Sequence, residues 1–100
     1  MKTIKAADIA ALDTNSVTLL DIRSREEYER NGFSGSVNVP FDEISTGLSK
    51  LPKDKAVYVL CRTGDLSAEV AEILEDRDYD VYNIDGGYAA YITHLASSDM

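Results

Sequence analysis

The residues of this chain whose types could do chemistry gather in one stretch, Val57-Tyr58-Val59-Leu60-Cys61-Arg62-Thr63-Gly64-Asp65-Leu66-Ser67. Here an apolar strand ends on the only cysteine and turns through Gly64 towards a helix. A thiol so placed lies among backbone N–H groups at the positive end of a helix dipole, an environment that suits a thiolate and makes a nucleophile. The cradle runs from Arg62 through Thr63, Gly64, Asp65 and Leu66 to Ser67, and its donors can hold negative charge on a bound group. Gly64 is the place for a positive φ that turns those donors inward. A lone cysteine is more often a small buried hydrophobe. Cys61 is set apart by standing after its strand, in the crevice beyond the carboxyl ends of strands where open α/β sheets put their sites.

The elements that must position this loop can be read along the chain. Apolar runs predict strands near Ile4 and over residues 17–20, 37–39, 56–60 and 81–84. Short helices are expected over residues 6–12 and 41–48, and another over about 25–30, opened by the capping-box spacing of Ser24 and Glu27 and stopped at Asn31-Gly32. After the cysteine loop, Leu66, Val70, Ile73 and Leu74 are read as one apolar helix face, and residues 88–92 as a short closing helix. Strands alternating with helices predict an α/β fold, a mostly parallel sheet with helices on both faces. Such a sheet delivers the carboxyl ends of its strands to one rim, so Asp21 and Arg23, the loop from Cys61 to Leu66, and Asp85-Gly86-Gly87 should converge there.

The 100 residues are the size of one domain, expected over 1–100 with a frayed tail from about residue 96. The charged start and the lack of a long apolar run argue against a signal peptide or a membrane segment, and a single cysteine suits a reducing compartment. A cytoplasmic location is therefore expected. The net charge of −8, with 18 acids against 10 bases, argues against nucleic acid as a partner and requires any anion site to be built locally. One cysteine and the distant His94 cannot make a metal ligand set, and no cofactor is called for. His94 itself reads as a surface or packing residue.

Four segments in register resemble the rhodanese, or sulfurtransferase, family: Leu19-Leu20-Asp21-Ile22-Arg23 with Glu26-Glu27-Tyr28, Gly35-Ser36-Val37-Asn38-Val39-Pro40, Tyr58-Val59-Leu60-Cys61-Arg62-Thr63-Gly64, and Asn83-Ile84-Asp85-Gly86-Gly87-Tyr88. The resemblance spans about Ile4 to Ile92. It implies a rhodanese-like, five-stranded parallel sheet flanked by helices. It also implies that Cys61 takes a sulfane sulfur from a donor as a persulfide and passes it to a thiol, of a small molecule or of a protein, or to cyanide. The residues agree with such chemistry, because attack on sulfur by an ionised thiol needs no general base, so the absence of a histidine near the loop is tolerable.

Two positions depart from the family pattern. The loop there commonly reads Cys-x-x-Gly-x-Arg, and here the last place is Leu66, which points away from thiosulfate and towards a polysulfide or a small or protein-borne persulfide as donor. Leu66 has a plainer reading as the first residue of its helix's apolar stripe. The other departure is Gly32-Phe33-Ser34-Gly35, where many relatives have a His-Ile-Pro-Gly-like stretch of structural role. Arg23 is read as an ion-pair brace with Glu26, Glu27 or another acid, the alternative being a source of positive potential at the rim. Gly86-Gly87 is read as a tight turn.

Two other functions compete. A cysteine phosphatase needs an arginine six places after the cysteine to grip phosphate oxygens, and Ser67 stands there. The stronger rival is a non-catalytic module that uses the same fold as a protein-interaction surface.

Overall fold

The computed structural model describes residues 1–98. Five strands, β1 (Lys2–Lys5), β2 (Thr18–Asp21), β3 (Val37–Asn38), β4 (Val57–Leu60) and β5 (Val81–Asp85), form one sheet in the order β1-β5-β4-β2-β3. Every neighbouring pair is parallel. β4 is the central strand, with Leu20 opposite Val59 on one side and Val57 opposite Val81 on the other. A strand so placed is buried on both faces, which is why Val57, Val59 and Leu60 are all fully enclosed apolar residues.

Side-chain alternation sorts the core into two layers. Leu20, Val57, Val59, Cys61 and Val81 face a layer completed by Val70, Ala71 and Leu74 of α3 (Asp65–Asp76), with Ile44 and Leu48 from the segment around α2 (Ile44–Gly47). Leu19, Leu60 and Ile84 face the other way, against Ala6 and Ile9 of the 3-10 helix Ala6–Ala11 and Tyr88 and Tyr91 of α4 (Gly87–Ser98). Helices thus cover both faces, as the alternation of elements predicts. Tyr79 closes the far end of the first layer, its hydroxyl donating to the Leu51 carbonyl at 2.7 Å.

Three local expectations are corrected. The segment expected as one helix over residues 41–48 is a 3-10 turn, the short α2 and a second 3-10 turn, Leu48–Lys50. The closing helix, expected over residues 88–92, runs over Gly87–Ser98 and takes in residues 96–98 of the expected frayed tail, and Asp99 and Met100 lie outside the described residues. The buried face of α3 is Ser67, Val70, Ala71 and Leu74, while Leu66 and Ile73 are 44% and 37% exposed. At 100° per residue Leu66 lies about 90° round the helix from the centre of that buried stripe, so one turn of the helix cannot bury both Leu66 and Ser67.

α1 (Arg25–Asn31) begins where the capping box predicts: the Ser24 hydroxyl accepts from the Glu27 amide at 3.1 Å. The helix buries none of its own residues. Its place is held instead by Tyr28, whose hydroxyl donates to the Ser36 carbonyl at 2.7 Å, and by Asn31, whose side-chain oxygen accepts from Arg23.

Candidate active site

Cys61 follows the last residue of β4, and α3 starts four residues later, so one tight turn must carry the chain from sheet to helix. Gly64 makes the turn with φ +96°, as its place in the loop predicts. A Cβ there would lie 2.9 Å from the Gly86 amide nitrogen. The sharp turn folds the helix start back over the cysteine: the Gly64 and Ser67 amides donate to Sγ at 3.0 and 3.4 Å. Gly64 offers α3 no capping side chain. The sulfur does that work, accepting from the first helical turn as a serine or aspartate oxygen would. The thiol donates to Ser67 Oγ at 3.2 Å, and the hydroxyl rotor can turn its own proton to the sulfur when the thiol is ionised.

The rest of the loop is aimed by α4. The Tyr88 and Ala89 amides, at the start of that helix, donate to the Cys61 and Arg62 carbonyls, each at 2.9 Å. Asn83 Nδ2 holds the Gly64 carbonyl at 3.3 Å. A trans peptide points its N–H opposite to its C=O, so these three grips turn the Arg62, Thr63 and Asp65 N–H groups away from their holders. Gly87 makes the approach possible, since a Cβ there would lie 2.5 Å from the Cys61 carbonyl oxygen. Gly86-Gly87 is therefore a structural turn that also braces the loop.

A cleft of about 540 Å³ opens beside the sulfur, lined by Cys61, Arg62, Thr63 and Leu66 from the loop and by Ile22, Ser24, Glu27, Pro40 and Phe41 from the segments after β2 and β3. Cys61 is 4% exposed and sits on the cleft's inner wall. Leu66 and Phe41, 44% and 38% exposed, give the wall an apolar surface. The reading of Leu66 as part of the helix's core stripe is thus corrected; its side chain belongs to the cleft. Asp65 is exposed and takes a hydrogen bond from the Thr63 hydroxyl at 3.3 Å.

The two arginines of the cleft differ. Arg23 is 4% exposed and is fully used: its guanidinium donates to Asp21 at 2.8 Å and to Asn31 Oδ1 at 2.7 Å, and it lies 4.3 Å above the Tyr88 ring. Its acid is Asp21, itself completely buried, and not Glu26 or Glu27. Arg62 is at the surface, and its Nη2 donates to Glu27 Oε1 at 3.0 Å. The Arg62 hydrogen bond holds the Glu27 carboxyl below the ordinary carboxylate range, against the opposing effect of partial burial. The same oxygen accepts from the Ser24 hydroxyl at 3.3 Å.

Of the residues the sequence singled out, Cys61, Arg62, Thr63 and Leu66 line the cleft, and Gly64 and Ser67 contribute their amides at the sulfur. Sequence reasoning missed Glu27 and Phe41 as cleft residues and Asn83 as a loop anchor. Glu27 carried a signal, but one that its capping role absorbs. His94, as expected, is a surface residue of α4.

Comparison with known proteins bears on this geometry. The chain is 33% identical over 73 residues to a tRNA sulfurtransferase of Desulfurococcus amylolyticus, covering 73% of this chain but 14% of that protein's length. It is 32% identical over 83 residues to a sulfurtransferase of Allochromatium vinosum, covering 82% of this chain and 78% of the relative. The crystal structure of a rhodanese-related protein from Thermoplasma volcanium superposes with a TM-score of 0.84 at 28% identity, over 94% of this chain and 93% of the other. The Rhodanese-like domain family matches residues 7–94, a span that takes in β2 to β5, the cysteine loop and every residue of the cleft. With that match beside the shared fold, the chain belongs to the rhodanese-like domain family.

Proposed function

We propose that the domain is a sulfurtransferase in which Cys61 carries the sulfur. The observation that carries the reading is the seat of Sγ, which accepts two loop amides and lies on the wall of a cleft open to small molecules. Relatives named sulfurtransferases support it.

In the first half-reaction the Cys61 thiolate attacks the sulfane sulfur of a donor R–S–SH. The bond from Sγ to that sulfur forms, the R–S to S bond breaks, and the electron pair leaves with RS⁻. Cys61 becomes a persulfide, whose terminal sulfur, once deprotonated, faces the amides from Arg62 to Ser67. A thiolate or cyanide acceptor then attacks the terminal sulfur. The sulfur leaves as a new persulfide or as thiocyanate, and Sγ departs as thiolate stabilised again by the Gly64 and Ser67 amides. No residue need act as a general base, in keeping with a cleft that lacks histidine.

The donor follows from the wall. With Leu66 in the place where the family pattern has arginine, and with Phe41 adding to the apolar wall, the cleft suits a polysulfide or the persulfide of a small thiol or of a protein better than thiosulfate. The test is incubation of reduced protein with polysulfide, followed by mass spectrometry. One added sulfur atom on Cys61, absent from Cys61→Ser, is the expected result. If Cys61 never gains sulfur while a generic thiol reagent still labels it, the domain is an interaction module and the enzymatic proposal is wrong.

A further inference from the structure

The cleft holds an ion pair that the sulfur chemistry leaves unused. Arg62 is the one cleft cation with an exposed head, at 71% side-chain exposure, and it is held by Glu27 at 3.0 Å. Arg23 cannot stand in for it, because Asp21, Asn31 and the face of Tyr88 already occupy its guanidinium. Glu27 has further ties: its amide is fixed by the Ser24 hydroxyl, and its carboxylate accepts that hydroxyl. The carboxylate therefore takes two polar donors of the cleft, Arg62 and Ser24, and offers negative charge in their place.

Resting on the sulfur-transfer reading of Cys61, we propose that Glu27 sets donor choice: it sequesters Arg62 and sets the cleft against donors that are anionic throughout, such as thiosulfate. For thiosulfate the first half-reaction joins its sulfane sulfur to Sγ and breaks the sulfur–sulfur bond, the electron pair leaving as sulfite. Both the incoming dianion and the departing sulfite meet the Glu27 carboxylate with its arginine already neutralised. An alkyl persulfide with an uncharged stem bears no sulfonate for Arg62 to recognise and is spared that conflict. Leu66 and Glu27, both lining the cleft, thus act in the same direction: one removes a cation, the other occupies the cation that remains.

The test uses Glu27→Gln, which keeps the backbone cap at Ser24 and removes only the charge. Rates of sulfur addition to Cys61 are measured by mass spectrometry with thiosulfate and with N-acetylcysteamine persulfide. In the variant the ratio of the thiosulfate rate to the persulfide rate should rise about tenfold, the value of one recovered charge-assisted contact. Adding Arg62→Gln should remove the gain. A ratio that does not move, or a gain that survives the loss of Arg62, overturns the proposal. Binding supplies a second readout free of chemistry: in a Cys61→Ser background, calorimetric titration with thiosulfate should show about tenfold tighter binding when Glu27 is replaced by glutamine. Should Cys61 take sulfur from neither donor while thiosulfate binding still tightens, the sulfur-transfer reading fails and the electrostatic role of Glu27 stands. Unchanged binding defeats the role itself.

Discussion

Replacing Gly64 with alanine should damage the fold and the loop together, and the structure allows the damage to be sized. The residue has φ +96°, a conformation in which a Cβ costs about 1–2 kcal/mol. That Cβ would lie 2.9 Å from the Gly86 amide nitrogen and 3.4 Å from the Ile84 carbonyl oxygen, both backbone atoms that cannot swing aside. Overpacking of this kind adds about 1–3 kcal/mol. The sum is a loss of about 2–5 kcal/mol, read as a drop of about 1–3 M in the midpoint of urea unfolding. Relief requires the loop to move off the Gly86-Gly87 turn, which draws the Gly64 amide away from Sγ, now 3.0 Å distant. Sulfur uptake by Cys61 should therefore slow by about tenfold or more, as when a donor is lost from a charge-stabilising site. Gly35→Ala is the control: it also has positive φ, +79°, but its Cβ would press on Thr14, far in sequence from the loop, so it should lose stability without slowing uptake. If Gly64→Ala unfolds at the wild-type urea concentration, or slows sulfur uptake no more than Gly35→Ala does, the account of how this loop is held is wrong.

Other perturbations address the cleft walls. Arg23→Met strands Asp21, which is 0% exposed, and should cost about 3–5 kcal/mol in urea denaturation, much of it recovered when Asp21 is also made apolar. The Arg62–Glu27 pair should give a small pH-dependent term. Its folded-state carboxyl titrates below the ordinary value of 4.5, so the stabilisation is full above that value and is lost as pH falls through the lower folded one. Because Arg62 is largely exposed, the stability difference between wild type and Glu27→Gln at neutral pH should stay under about 1 kcal/mol and vanish in acid, as thermal unfolding across pH can check. Leu66→Arg should leave stability within about 0.5 kcal/mol, since the side chain is outside the core, and should raise the efficiency of thiosulfate turnover by about ten- to hundredfold. An unaltered thiosulfate rate would remove Leu66 from the account of donor choice.

Much of the fold was legible because its signals are short-ranged. The apolar run ending at Leu60 reads as a buried strand whatever surrounds it, Ser24 and Glu27 mark a helix start by spacing alone, and a glycine three places after Cys61 announces a turn that few other residues could make. The errors came where periodicity was asked to choose a face. Leu66 and Ile73 are apolar at helical spacing, but the face packed on the sheet carries Ser67 and Ala71, and only the direction from which β4 enters α3 settles which side turns inward. Residues 41–48 show a helical pattern too, yet so short a segment has too few hydrogen bonds to impose one helix type, and it breaks into 3-10 and α turns.

The nature of the site divides in the same way. That the chain is α/β, that Cys61 stands at a strand's carboxyl end and that Gly64 lets the following amides turn inward were all written in neighbouring residues, because covalent geometry and φ preferences act over a few positions. What surrounds the sulfur was decided by the fold. The grip of Tyr88 and Ala89 on the loop carbonyls, the capture of Arg62 by Glu27 and the turning of Leu66 and Phe41 into one cleft join residues more than twenty positions apart. Hydrogen bonds and ion pairs depend on distances of a few ångströms in space, and no local pattern in the chain encodes those distances before the sheet has assembled.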